Sequence, residues 1–377
     1  MKVVIAPDSF KGSLTAALAA RAIERGVRAA LPRAVTVLKP MADGGEGTLD
    51  ALVSALGGER LHLEVQDPLG RPVRAAYGRC GQLAVIELAA ASGLPLLTGA
   101  ERDPLRSDSF GTGQLMRAAL EGGAHELLVC LGGSATVDGG SGLLRALGFR
   151  FLDARGQPLP PGGAALLDLA QIDDLQVPPA VRTARVRVAC DVTNPLLGPQ
   201  GASAVFAPQK GAGPREVALL EAALARFAQV LEAHARRPVR NQPGAGAAGG
   251  AAAGLVGLLR ATLEPGAALV ADAIHLDAAL ESADLVISGE GRLDAQTASG
   301  KVVAEVGRRA RARAVPCLAL AGSVTGDLGD LHALGLSAAL SLARGPARQE
   351  ELMRAAEPLL EAAAEQAVRL FVSARPR

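Results

Sequence analysis

The stretch Leu61-His62-Leu63-Glu64-Val65-Gln66-Asp67-Pro68-Leu69-Gly70-Arg71-Pro72 decides how the chain divides. Leu61, Leu63 and Val65 alternate with His62, Glu64 and Gln66, the period of two that turns one face of a strand toward a core. Asp67 to Gly70 carries turn chemistry: Asp bonds nearby backbone, Pro fixes φ and Gly accepts a positive φ. A second run then continues to Tyr77, so the segment predicts a hairpin. Antiparallel pairing of this kind does not belong in a simple doubly wound sheet.

Outward from the hairpin the pattern changes. Val3–Ala6, Leu127–Leu131, Leu285–Ser288, Cys317–Ala321 and Ala338–Leu342 are short apolar runs, each followed by a Gly- or Asp-rich turn and a helical pattern. That is the mark of βα units on a largely parallel sheet. Leu14, Leu18, Ile23 and Val27 recur at helical spacing, with Ser13 as the expected N-cap and Pro32 as the stop. The expected fold class is therefore α/β, with two α/β domains. Residues 1–61 and 283–377 form a Rossmann-like parallel-sheet domain closed by a long helix, 349–373. Residues 62–282 are inserted into it as a second α/β domain with a mixed sheet. No linker of distinct composition marks the boundaries.

Composition removes several function classes. With 377 residues, 49% hydrophobic and 20% charged, the chain has ample material for buried cores. A net charge of +1, 2% aromatic residues and no Trp leave neither a basic field nor a stacking platform, so no nucleic-acid partner is expected. The N-terminus reads as a strand rather than a signal peptide, which points to a cytoplasmic protein. Gly244–Leu259 is free of charge but slightly too short to span a bilayer, and reads as a loop entering a buried helix; no membrane partner is expected. Cys80, Cys130, Cys190 and Cys317 are far apart and imply neither disulfides nor zinc, and the five His show no metal-ligand spacing.

Of 39 basic residues only five are Lys: Lys2, Lys11, Lys39, Lys210 and Lys301. Lys11, Lys210 and Lys301 each adjoin a Gly. A compact ammonium beside bare backbone amides is a recurring way to hold phosphate. Five acid-containing segments accompany them, all but Asp191–Pro195 with Gly: Asp8–Ser13, Met41–Thr48, Leu131–Gly140, Asp191–Pro195, and Ser288–Asp294 leading on to Gln296–Lys301. Each alone could be a capped turn. Together they repeat Gly with acids and hydroxyls after strands, the sheet edge where ligands bind in open α/β folds. There is no G-x-x-x-x-G-K-[ST], since Ala295 stands where its first Gly would be, and neither G-x-S-x-G nor a post-strand G-x-G-x-x-G occurs.

At these residues the sequence resembles the bacterial type-1 glycerate kinases. The resemblance runs in order through Ala6–Gly12, Pro40–Thr48, Gly132–Gly140, Asp191–Leu196, Ala207–Ala212, Pro243–Gly250 and Gly289–Lys301. It implies transfer of the ATP γ-phosphoryl group to D-glycerate with Mg²⁺, 2-phosphoglycerate being favoured over 3-phosphoglycerate. It also implies a two-domain fold with the active site in the cleft between the domains. Monomer and homodimer both fit the sequence.

Phosphoryl transfer asks the protein for positioning and charge neutralisation. The nucleotide is assigned to Gly132, Gly133, Ser134, Ala135, Thr136 and Asp138, with Gly289, Thr297 and Lys301. Substrate binding is assigned to Ser9, Lys11, Gly44, Gly45, Glu46, Gly47, Thr48 and Lys210. The catalytic set is Asp43, Asp191 and Lys11, with Asp43 preferred as base and Asp191 the alternative. Asp191, Asn194 and Glu290 are the metal candidates. Two other readings are a hydroxy-acid sensor domain, which would lack nucleotide binding, and a sugar-acid dehydrogenase, which would show a dinucleotide fingerprint.

Overall fold

The computed structural model describes residues 1–298 and 301–374. Its strands, in chain order, are β1 (Lys2–Ile5), β2 (Val35–Leu38), β3 (Glu59–Gln66), β4 (Pro72–Cys80), β5 (Leu83–Glu87), β6 (Glu126–Cys130), β7 (Arg150–Leu152), β8 (Gln171–Asp173), β9 (Arg185–Ala189), β10 (Thr262–Glu264), β11 (Leu285–Leu293), β12 (Cys317–Val324) and β13 (Leu336–Ser341). The chain falls into two compact units. The first comprises Met1–Asp43, Asp50–Gly57 and the chain from Pro265 onward; the second comprises Gly44–Leu49 and Gly58–Glu264.

The first unit holds a sheet in the order β13-β12-β11-β1-β2, parallel at every pairing. Val3, Val4 and Ile5 of β1 are fully buried, as a strand covered on both faces must be. Helix Ala16–Ala30 packs against helix Ala356–Ser373. Its cap is Thr15, whose hydroxyl accepts from the Leu18 amide, whereas the Ser13 hydroxyl donates to the Phe10 carbonyl and closes the preceding turn. The expected long C-terminal helix is two: Gln349–Arg354 and Ala356–Ser373, broken at Ala355. Pro358 accounts for the break, since its ring would clash with the Arg354 carbonyl in a continuous helix but sits well in the first turn of a new one.

Helices Gly266–Ala273 and Leu276–Leu280 belong to this first unit, so the insertion ends at Glu264 rather than at residue 282. Arg309 ties them there, with ion pairs to Asp272 at 2.7 Å and Asp277 at 3.0 Å and a bond to the Ala268 carbonyl.

The second unit contains a sheet in the order β10-β9-β6-β5-β4-β3 and a small β7–β8 ribbon. β10, β9, β6 and β5 run parallel, while β4 and β3 are antiparallel, so the sheet is mixed. The hairpin pairs Leu61 with Tyr77 and Val65 with Val73, and Asp67 Oδ1 accepts from the Leu69 and Arg71 amides at its turn. Helix Ala251–Leu259 is the buried helix that its charge-free sequence foretold. The architecture is thus α/β with one parallel and one mixed sheet, and among the described residues no helix is long and apolar enough to cross a membrane.

Helices Ala16–Ala30 and Ala356–Ser373 meet at Gly26, where an added Cβ would overlap the Glu361 carbonyl oxygen and lie 2.8 Å from the Ala364 Cβ. Arg25 flanks this contact with ion pairs to Glu357 and Glu361. Replacing Gly26 by Ala is expected to destabilise the protein by about 1–3 kcal/mol, because overpacking outweighs the gain in helix propensity. Chemical denaturation of the variant beside wild type measures it.

Candidate functional site

In the first unit, parallel pairing brings the segments after β1 and β2 beside the second half of β11, which runs on as strand through Gly289, Glu290 and Gly291 where the sequence reading expects a turn after Ser288. The Asp8 amide donates to the Gly289 carbonyl, and the Met41 amide to the Pro7 carbonyl, so the second half of β11 and the segment after β2 are both fastened to the segment after β1. Asp8 accepts its neighbour's amide, Ser9 N, at 2.6 Å. Lys11 is exposed at the tip of the turn, with its backbone N close to Gly291, where a Cβ would stand 3.4 Å from it.

Burial dominates the electrostatics of this cluster. It pushes the Asp8 carboxyl up to about 7, helped by the nearby carboxylates of Asp43 and Glu290. It likewise pushes Glu290 up to about 7, against the Lys301 ammonium and a hydrogen bond from Thr297. Glu290 Oε1 is enclosed and has no hydrogen-bond partner. Lys301 caps helix Val302–Ala312, while Ser299 and Gly300 before it lie outside the described residues.

The second unit gathers a different set beyond the ends of β5, β6 and β9. Gly132 approaches the Gly44–Gly45 backbone: an added Cβ on Gly132 would lie 3.5 Å from the Gly45 Cα. Glu87, ending β5, accepts the amides of Gly47 at 3.0 Å and Leu49 at 2.9 Å, and the Thr48 hydroxyl donates to the Gly45 carbonyl. The Gly47 amide is therefore already engaged, contrary to its expected role on a substrate carboxylate, and Glu46 alone of this segment is exposed. Asp191 is exposed after β9, and Asn194 donates from Nδ2 to the Gln200 carbonyl, leaving its amide oxygen facing elsewhere.

Of the loop after β6 only Gly132 and Gly133 are exposed; Ser134, Ala135, Thr136 and Asp138 are buried. Asp138 works inside the protein. Its oxygens accept from the Ser109 hydroxyl at 2.6 Å and from the amides of Ser109, Gly140 and Gly142. It organises the loop rather than facing a ligand. Lys210 is buried as well: Nζ donates to Ser134 Oγ and to the Thr136 carbonyl, each at 2.7 Å. Desolvation brings its ammonium down to about 7, with only Asp138 opposing. The side of the loop away from the surface meets Gly249, where any Cβ would overlap the Thr136 carbonyl oxygen.

The sequence-assigned residues thus form two sets. Ser9, Lys11, Asp43, Gly289, Glu290, Thr297 and Lys301 belong to the first unit; Gly45–Thr48, Gly132–Thr136, Asp138, Asp191, Asn194 and Lys210 belong to the second, with Gly44. The metal candidates Asp191 and Asn194 are consequently in a different unit from Glu290. Four residues went unassigned. Asp8 was readable as the acid directly after the first strand, and Glu87 as a lone acid closing an apolar strand; Asp108 and Ser109, which brace the Asp138 network, carry no motif of their own.

The model of the glycerate kinase family matches residues 3–372. The chain belongs to the glycerate kinase family. Glycerate kinase of Halalkalibacterium halodurans is 46% identical over 364 residues, 96% of each chain. Glycerate 2-kinase of Escherichia coli K12 is 44% identical over 358 residues, 94% of each chain. A crystal structure assigned to glycerate kinase 2 of Salmonella typhimurium LT2 superposes with a TM-score of 0.92 at 44% identity, covering 99% of this chain and 98% of that one. Membership of this family makes the chain an enzyme, a kinase, with the α/β architecture that its strand pattern announced.

Within this kinase the buried Lys210 has a measurable signature. Its folded-state pKa lies at about 7, below the ordinary lysine value of 10.5. Between those values the unfolded chain binds a proton that the folded chain does not, so stability rises with pH across this window. Below about 7 both states are protonated and the slope vanishes. Urea unfolding from pH 7 to 10 is expected to show wild type gaining a few kcal/mol relative to Lys210→Met; parallel curves would place the ammonium in contact with water.

Proposed function

We propose that the chain transfers the γ-phosphoryl group of ATP to D-glycerate, giving 2-phosphoglycerate. The observation that carries this reading is the match to kinases named for glycerate over 94% or more of both chains, at 44–46% identity. The chemistry of the two residue sets supports it. Phosphoryl transfer needs amides and cations around phosphates, and a carboxylate near the attacking hydroxyl.

In this reading the exposed Gly132–Gly133 backbone receives the polyphosphate, and Lys301 adds charge. Lys11, at the tip of its turn, and Ser9, just before that turn, hold the carboxylate of glycerate. Asp43 takes the proton of the attacking hydroxyl, beside the carboxyls of Asp8 and Glu290. Asp191 remains the alternative base. Transfer to glycerate rather than to water requires that water be kept from the γ-phosphoryl group, and ATP hydrolysis without glycerate is expected to be low.

Mg²⁺ fits the carboxylates of the first unit. Glu290 Oε1, enclosed and unpartnered, is a hard oxygen donor awaiting a partner, and Asp43 is within its electrostatic reach. Among the described residues no three acidic, His or Cys side chains form a metal cage. Mg²⁺ is commonly held by one or two carboxylates with phosphate oxygens and water completing its shell. Glu290 would hold it here, with Asp191 and Asn194 as the other candidates. When bound it would neutralise charge on the phosphates.

Phosphorus NMR of the product from ATP, Mg²⁺ and D-glycerate tests the reading. A 2-phosphate couples to the single proton at C2 and gives a doublet; a triplet would identify the 3-phosphate, and no product from folded protein would exclude the activity. Lys11→Met and Lys301→Met are each expected to lower kcat/KM about 10²-fold or more, with melting temperature nearly unchanged. A large stability loss with normal turnover would make either lysine structural.

A further inference from the structure

The Lys210 ammonium lies beneath the loop after β6, bonded to Ser134 Oγ and the Thr136 carbonyl, with its side chain 2% exposed. Those acceptors belong to the buried part of a loop whose exposed part is Gly132–Gly133. The charged groups around it are few. Asp138 faces it with oxygens already taken by Ser109, Gly140 and Gly142; behind that stands the Asp108–Arg145 pair. On the turn that carries Lys210, Arg102 reaches only the Gln209 carbonyl, at 3.5 Å. Thr136 Oγ1 is enclosed in the same place without a hydrogen-bond partner.

A carbonyl and a hydroxyl drawn inward by one cation fix the peptide planes on either side of them. The exposed peptides before them are then held with one orientation toward any ligand, instead of sampling several. Because the cation is desolvated, its field is weakly screened at the loop surface.

We propose that Lys210 is a positioning residue for the nucleotide: it holds Ser134 and Thr136 from beneath, so that the Gly132–Gly133 backbone faces the polyphosphate, and its charge favours binding without touching the ligand. The proposal rests on the reading of this loop as the polyphosphate site. It carries a thermodynamic consequence. Above neutral pH an ammonium in this position is largely deprotonated in the free protein, and a polyanion at the loop raises its proton affinity, so nucleotide binding draws a proton from the buffer.

The test uses the whole enzyme and three variants. Lys210→Gln keeps amide donors for both acceptors but carries no charge; Lys210→Met removes both; Gly132→Ala probes the loop surface independently, in a spot where a methyl meets only van der Waals contacts. For Lys210→Met, KM for ATP is expected to rise about tenfold or more while KM for D-glycerate stays within twofold; Lys210→Gln should show a smaller rise. Calorimetry of a non-hydrolysable ATP analogue at pH 8, in buffers of different ionisation enthalpy, is expected to show proton uptake in wild type and less in Lys210→Gln. Equal uptake in both, an unchanged KM for ATP, or a rise in KM for glycerate instead would overturn the proposal. If Gly132→Ala leaves KM for ATP at the wild-type value, the reading of the loop itself fails. If Gly132→Ala raises it and the Lys210 variants do not, the loop reading stands and the role of Lys210 falls.

Discussion

A strand in the interior of a parallel sheet needs hydrogen-bonding partners on both edges, and β1 finds them in β2 and β11. Everything in the first unit follows from that pairing. It places the segments after β1 and β2 beside the second half of β11, which is how Asp8, Asp43 and Glu290 come within electrostatic reach of one another. It also obliges the second unit to be looped out between β2 and β11, since the chain must return to the same sheet to supply the second partner.

The second unit solves a related problem with different means. Its Gly-rich loop after β6 is not a loose surface turn; most of it is interior, fixed by Asp138 from one side and by Lys210 and Gly249 from another. Buried polar groups of this kind are tolerated because nearly every donor has an acceptor. The one ammonium involved is cut off from water there, and that desolvation is the source of its depressed proton affinity. Two fixed glycines are left for solvent or ligand, a small exposed area resting on a large rigid base.

Much of this was legible because it rests on local patterns. The hairpin showed itself through strict alternation around Asp67–Gly70, and the parallel strands through short apolar runs before Gly-rich turns. The two helices 349–354 and 356–373 were legible in principle, through Pro358, yet the apolar spacing on either side of it reads as one helix. Ser13 and Thr15 are equally good caps by type; the turn at Phe10 captures the first and leaves the second to the helix. The boundary at Pro265 was hidden because its cause is Arg309, forty residues on. Lys210 beside Gly211 looked like a surface phosphate ligand, and only packing reveals that its ammonium points inward. Glu87 and Asp8 depend on which strands are neighbours, information that a sequence pattern does not contain.

The interrupted composition of the first unit also orders events in time. Lys2 binds through its backbone to the Asp284 side chain, 282 positions further on. During synthesis, at roughly 5–20 residues per second, the apolar strand Val3–Ile5 must wait on the order of 15–60 s before its partner leaves the ribosome. In that interval the inserted unit, whose strands are all encoded between residues 59 and 264, can complete its own sheet. Strand β1 meanwhile has β2 on one edge, and its other edge stays open until β11 is made.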